Sequence, residues 1–241
     1  MNRILLCLLL TGVTTVLSAQ QIIEKHFSVA DNQPILLKFD FPKVKVKSWD
    51  KNEVYVKVTV NINDNKNNDK FQLTDKIVDG KLIVGDTVDF KHIDPEYYVE
   101  TDGVKKHFSS KQDFENYKSD HKDEKFSSYS TNNTDIQIEV YLPTNGNNSV
   151  QAKFGWVEVS DYTGPLTVKT EFGKIDAKLP ASKVGTITLT NHFGKIYSDF
   201  NMKPTSSEER NFFTSITANP GNGPAYSFSS KFGNIYLRDV K

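Results

Sequence analysis

Lys169-Thr170-Glu171-Phe172-Gly173-Lys174-Ile175-Asp176-Ala177 contains one of four copies of a signature, Phe-Gly-x-(Ile/Val), that crowds the C-terminal part of the chain. The others are Phe154-Gly155-Trp156-Val157, Phe193-Gly194-Lys195-Ile196 and Phe232-Gly233-Asn234-Ile235, and the steps between phenylalanines are 18, 21 and 39 residues. The last step is close to two of the earlier ones. A fixed period near 20 residues is the pattern of a solenoid, in which each repeat buries its face against its neighbours.

The residues four and two positions before each Phe are Val150 and Ala152, Val168 and Thr170, Leu189 and Asn191, and Phe228 and Ser230. Side chains alternate along a strand, so these positions share a face with the Phe, and that face is expected to point inward. Beyond the Phe, the apolar residues Val157, Ile175, Ile196 and Ile235 come three positions later, so the inward parity slips by one at the glycine. A glycine at a slip in parity marks a corner or bulge, and Gly155, Gly173, Gly194 and Gly233 are read as corners. The expectation is an internal ladder of Phe154, Phe172, Phe193 and Phe232 in sequence order. The outward columns, Lys153, Glu171, His192, Lys231 and Trp156, Lys174, Lys195, Asn234, repeat no chemical group and are read as solvated faces.

The chain opens Met1-Asn2-Arg3, then runs apolar from Ile4 to Leu10 and ends at Ser18-Ala19-Gln20. A charge, a short apolar core and a small residue describe a secretory signal peptide, expected to be cleaved after Ala19, with export to the periplasm or cell surface. Thr11, Gly12, Thr14 and Thr15 interrupt the run too early for a spanning helix, so no membrane insertion is expected after cleavage. Cys7 is the sole cysteine, so a mature chain has neither disulfides nor thiol chemistry. With 30 Lys and Arg against 30 Asp and Glu, bulk charge gives no reason to expect nucleic acid or an anionic membrane as a partner.

Short alternating segments fill residues 22 to 88, among them Ile35–Phe39, Val44–Trp49, Val54–Val60 and Lys81–Val84, with turn clusters such as Asp79-Gly80 between them. The Asn-rich stretch from Asn61 to Asp69 reads as a polar loop. It lacks the turn glycine and closing glutamate of a calcium loop. Residues 89 to 134 break the pattern: they are charged and aromatic, with no apolar alternation, and read as an insertion too polar to build its own core. A short helix is expected within Lys111–Lys125. The spacing of His92, His107 and His121 matches no zinc pattern. Tyr97, Tyr98, Tyr117 and Tyr129 are the candidate binding anchors, because tyrosine brings large contact area at low entropic cost. Residues 204 to 223 read as a second, decorated loop.

Two segments carry a resemblance. Val44-Lys45-Val46-Lys47-Ser48-Trp49-Asp50-Lys51-Asn52-Glu53-Val54-Tyr55-Val56 is similar to the opening coils of the putative adhesin family of exported bacterial β-solenoids, and residues 169–177 resemble that family's strand, small-residue–Gly, strand unit. The resemblance implies a single-stranded β-helix, export and no catalytic residues. Asp86-Thr87-Val88 also resembles an O-glycosylation sequon of exported Gram-negative proteins.

The expected architecture is therefore all-β: a signal peptide over 1–19 and a β-solenoid over 20–241. Its roughly nine coils of about 20 residues would make a rod about 40 Å long. The expected function is a non-enzymatic envelope scaffold, without cofactor or metal, that displays loops to an envelope protein or glycan. The alternatives are an envelope-stress sensing module and a β-helix polysaccharide-active enzyme. Against the enzyme, Glu158, Glu171 and Asp176 are scattered among lysines rather than clustered for acid–base work.

Overall fold

The computed structural model describes residues 20–240, so the signal peptide and Cys7 lie outside the described residues. The first part of the chain forms β1 (Gln21–Ser28), β2 (Ile35–Phe39), β3 (Lys43–Trp49), β4 (Glu53–Ile62), β5 (Phe71–Val78) and β6 (Lys81–Val88). The inserted segment forms β7 (Glu96–Thr101), β8 (Val104–Phe108), helix α1 (Lys111–Asp120) and β9 (Ser127–Thr131). The long strand β10 (Thr134–Pro143) leads into β11 (Asn148–Ala152), β12 (Val157–Ser160), β13 (Leu166–Thr170), β14 (Ile175–Leu179), β15 (Ile187–His192) and β16 (Ile196–Ser198). A hairpin of β17 (Pro204–Arg210) and β18 (Phe213–Ala218) precedes the last pair, β19 (Tyr226–Ser230) and β20 (Ile235–Asp239).

Two large sheets enclose one apolar core. The first runs β1-β4-β10-β3-β12-β14-β20-β16 and the second β17-β18-β15-β19-β13-β11-β2-β6-β5. Five segments of chain travel up a strand of the second sheet, turn a corner and continue in the first: β2–β3, β11–β12, β13–β14, β19–β20 and β15–β16. These arches stack in that order with parallel, in-register pairing, for example Val150 opposite Leu37 and Val168, and Ile235 opposite Ile175 and Ile196. Stack order is not chain order. The C-terminal arch β19–β20 sits between β13–β14 and β15–β16.

The all-β expectation is met, but the sheets are mixed and open rather than one continuous helix of coils. There are five stacked arches among the described residues, not nine coils. Strands β3 and β4, read as successive coils, lie in one sheet with β10 between them, parallel to β3 and antiparallel to β4. Residues 204 to 218, expected to be loop, are largely the antiparallel hairpin β17–β18, which extends the second sheet beyond β15.

The phenylalanines are a second correction. They do form a ladder, but on the outside: Phe154 and Phe172 are each 48% exposed, Phe193 56% and Phe232 44%. Ring centroids are 5.2 Å apart for Phe154–Phe172, 5.1 Å for Phe172–Phe232 and 5.1 Å for Phe232–Phe193. Phe41 and Phe212 extend the ladder at its two ends, at 5.4 Å and 5.5 Å. The alternation places the residue two before the Phe inside, but the corner then turns Phe out and Gly in. The expected register carried the strand's parity one residue too far.

Glycine is required by proximity, not by backbone conformation. A Cβ on Gly173 would stand 1.6 Å from the Gly155 carbonyl oxygen, and one on Gly155 would stand 1.6 Å from that of Pro42. On Gly233 it would meet the Gly173 oxygen at 2.1 Å, and on Gly194 the Gly233 oxygen at 2.2 Å. None of these four glycines has a positive φ. The buried corner carbonyls are satisfied by the small inward residues: Thr170 Oγ1 donates to Gly173 O at 2.7 Å, Ser230 Oγ to Gly233 O at 3.0 Å, and Asn191 Nδ2 to Gly233 O at 2.7 Å. Backbone amides run the same way, with Phe154 N donating to Asp40 O, Phe172 N to Lys153 O and Phe232 N to Glu171 O.

Below the first arch no corner carbonyl remains to accept, and Asp86 on β6 takes that place. Its Oδ1 accepts from Asp40 N at 2.7 Å, while Oδ2 is buried without a partner. Asp86 is 7% exposed, and burial pushes its carboxyl up from 3.8 to about 6.

Two expected outcomes follow from the corners. Gly173→Ala should destabilise by roughly 3 kcal/mol or more, because only backbone can give way, whereas Phe172→Ala should cost only about 1 kcal/mol, since half the ring is already in water. Equal losses in a urea titration would overturn this assignment of inside and outside. At Asp86, the folded state favours the protonated acid. The stability it lends is complete below about pH 4 and lost as pH rises through about 6. Asp86→Asn keeps the acceptor without the buried charge, so it should gain roughly 1–3 kcal/mol at pH 7.5 and little at pH 4.

Candidate functional site

Residues 89–134 fold as a small three-stranded antiparallel sheet, β8-β7-β9, with α1 packed on one face. The helix begins where Ser110 Oγ accepts from Asp113 N and donates to Asp113 Oδ2, a reciprocal cap. Val99, Phe108 and Phe114 form a buried cluster, with Tyr97, Tyr117 and Phe126 against it. The insertion therefore has its own core, against the expectation from its charge.

The four tyrosines divide between the two faces of the sheet. Tyr97 points to the helix, 5.1 Å from the Phe114 ring, and Tyr117 lies on α1 between Phe108 at 5.1 Å and His121 at 3.9 Å. These two serve packing. Tyr98 points the other way and stacks on Tyr129 at 5.4 Å and 21°, with His107 across the strand at 5.1 Å. The register explains the row: Tyr98 pairs with His107 on β8 and with Tyr129 on β9. Lys105 reaches to 5.9 Å from the Tyr129 ring centre.

Beside this row sits an ionic cluster. Glu96, nearly buried, accepts from Lys66 Nζ at 2.9 Å and bonds to His107 Nε2. Burial alone would raise the Glu96 carboxyl, but the bonds from Lys66 and His107 outweigh it and hold it below its ordinary value. The same bond raises Lys66. Lys66 belongs to the Asn-rich loop, whose role is anchorage. Asn63 Nδ2 donates to Asp94 O at 3.2 Å and its Oδ1 accepts from Asn133 N at 2.8 Å, gripping both ends of the insertion. Asn68 ties the loop back to Ile62 N and Val60 O.

The three histidines are not brought together: His92 bonds to Asp89, His107 to Glu96 and His121 to the Tyr117 carbonyl. Among the described residues no group of three potential ligands converges. Glu158 pairs with Lys178 at 2.9 Å, Asp176 with Arg238 at 2.8 Å and Glu171 with Lys231 at 3.6 Å, so each carboxylate is committed to a cation. Thr87 is exposed on β6, but the Asp86 beside it is the buried cap described above.

Glu96, Lys105, His107 and Lys66 were not among the sequence candidates. A signal for them exists. Asp102-Gly103, with φ of 52° and 80°, is a two-residue hairpin turn between Thr101 and Val104, and it fixes the pairing that faces His107 to Tyr98.

No protein-family model matches the chain, and no curated protein does. Among solved structures it is similar to a putative cell adhesion protein from Clostridium sporogenes, with 9% identity and a TM-score of 0.49, covering 92% of this chain and 100% of that one. A putative lipid binding protein from Parabacteroides distasonis has 12% identity, a TM-score of 0.22 and coverage of 91% and 97%. A putative adhesin from Bacteroides fragilis has 9% identity, a TM-score of 0.22 and coverage of 92% and 99%.

Because Glu96 is held below its ordinary value, the stability it lends is present above about pH 4.5 and lost as pH falls below it. Protection factors in β7–β9, referenced to the slower intrinsic exchange in acid, should fall on acidification to pH 4 before those of β12–β14 do. Glu96→Gln should already exchange faster at pH 7, by about tenfold. A β7–β9 sheet that keeps its protection at pH 4 would show that the cluster does not hold the insertion.

Proposed function

We propose that this chain is a non-enzymatic, exported cell-envelope protein of adhesin-like type, in which the five stacked arches act as a short β-solenoid mount and the insertion carries the binding face. The observation behind this reading is the Tyr129–Tyr98–His107 row. It is an aromatic surface on a sheet with its own core, gripped at both ends by Asn63 and pinned by Lys66. Side chains preset in this way lose little freedom on binding, which is how a small patch acquires affinity. The exposed Tyr129 ring at the sheet edge, with Lys105 beside it, suits a glycan, whose ring carbons stack on an aromatic face while its hydroxyls take directed hydrogen bonds.

The test is an array of purified envelope polysaccharides probed with the wild type, Tyr98→Ala/Tyr129→Ala and Tyr97→Ala. Binding should fall about tenfold or more in the double variant, with the melting temperature of the body unchanged. Tyr97→Ala should instead loosen the insertion. Glycan capture that is absent in the wild type, or indifferent to Tyr98 and Tyr129, would reject the assignment.

A further inference from the structure

The phenylalanine ladder has a property that stacking alone does not require: it is half open to water and cationic along the column that follows it. Each ring covers its neighbours' faces, with planes only 9° apart for Phe154–Phe172 and 5° for Phe172–Phe232, so the surface offered outward is a ridge of ring edges. The column before the ridge holds Lys153 and Lys231 against Asp40 and Glu171. The column after it holds Trp156, Lys174 and Lys195 without an acid. Lys153 and Lys231 lie 5.1 Å and 5.2 Å from the centres of Phe154 and Phe232, and Lys174 lies 4.1 Å from that of Trp156. A chain that is neutral as a whole thus concentrates aromatic carbon and positive charge along one edge.

We infer that this ridge docks the protein peripherally on an anionic lipid bilayer, with the phenylalanines and Trp156 in the interfacial zone and the lysines on the headgroups. Three features select a bilayer. Rings stacked edge-outward leave no open face within the ladder for a sugar to stack upon. The ridge lies on the turns joining the two sheets, where it projects outward beside an open groove whose lining takes in Lys153 and Lys231 but none of the ladder's rings. Lys153, Lys174 and Lys195 flank it on flexible stems, which suit mobile headgroups better than the fixed donors and acceptors of a protein surface. Aromatic side chains beside lysines are the composition that lies stably at a membrane interface. This goes beyond the glycan reading and does not depend on it.

The test is flotation of the full mature chain with vesicles of phosphatidylcholine alone and of three parts phosphatidylcholine to one part phosphatidylglycerol. The wild type should float with the anionic vesicles, and Lys153→Glu/Lys195→Glu should reduce this about tenfold. Both lysines are exposed, so this variant should keep the fold. A Trp49→Phe background isolates Trp156, whose emission should then be quenched by brominated acyl chains. Tyr98→Ala/Tyr129→Ala should float like the wild type, which separates this surface from the glycan face. The inference is overturned if the wild type floats with neither vesicle, if the lysine variant floats undiminished, or if Trp156 is not quenched. Binding to soluble heparin without flotation would also overturn it, by assigning the lysines to an anionic polymer.

Discussion

At each corner beyond the first, the carbonyl of one arch occupies the space where the next arch would carry a Cβ. This contact sets the rest of the stack. It brings the arches close enough for corner amides and carbonyls to pair in a continuous ladder, and it excludes every residue but glycine from one position in each repeat. A corner this tight is buried, so its carbonyls need donors other than water. Thr170, Ser230 and Asn191 provide them, and this accounts for small polar residues at positions that would otherwise favour aliphatics. With the glycine inside, the phenylalanine before it has nowhere to go but out, and the rings align because the backbones beneath them do.

The first corner marks where the constraint begins. Phe41-Pro42-Lys43-Val44 matches the repeat except for proline at the glycine position, and it begins the corner stack, so no earlier corner carbonyl presses on it. It also lacks a carbonyl to accept its own amide, and the side chain of Asp86 supplies the acceptor. At the other end Phe193 adopts a positive φ of 60°, and its amide turns to the Phe212 carbonyl of the β17–β18 hairpin instead of to an arch.

Much of this was legible, and the failures have physical causes. The repeat, the corner glycines and the buried Val and Ile positions follow from period-2 alternation. The direction of the phenylalanines does not, because alternation holds within strands and lapses at a corner. The Phe41 copy was hidden by its proline. The order of the arches was hidden because period reports similarity, not adjacency. A clue lay in the charges: Asp40, Lys153, Glu171, Lys231 and His192 alternate only when Lys231 follows Glu171, and the Glu171–Lys231 pair forms only in that order. In the insertion, net polarity concealed a core of three residues, whereas Asp102-Gly103 announced the hairpin and, through it, the Tyr98 face.

The placement of the final arch has a temporal meaning. Strand β16 has one sheet partner, β20, and the face of β13–β14 turned toward the stack's end is covered only by β19–β20. Chains grow from the N-terminus, so residues 187–198 exist without the neighbour that joins them to the body until residues 226–239 have been made. The stack cannot assemble arch by arch as it emerges; it closes when the later-made β19–β20 slots between β13–β14 and β15–β16. A chain cut short before Tyr226 would lose an internal layer, not an end, and leave β15–β16 with no parallel neighbour on the stack.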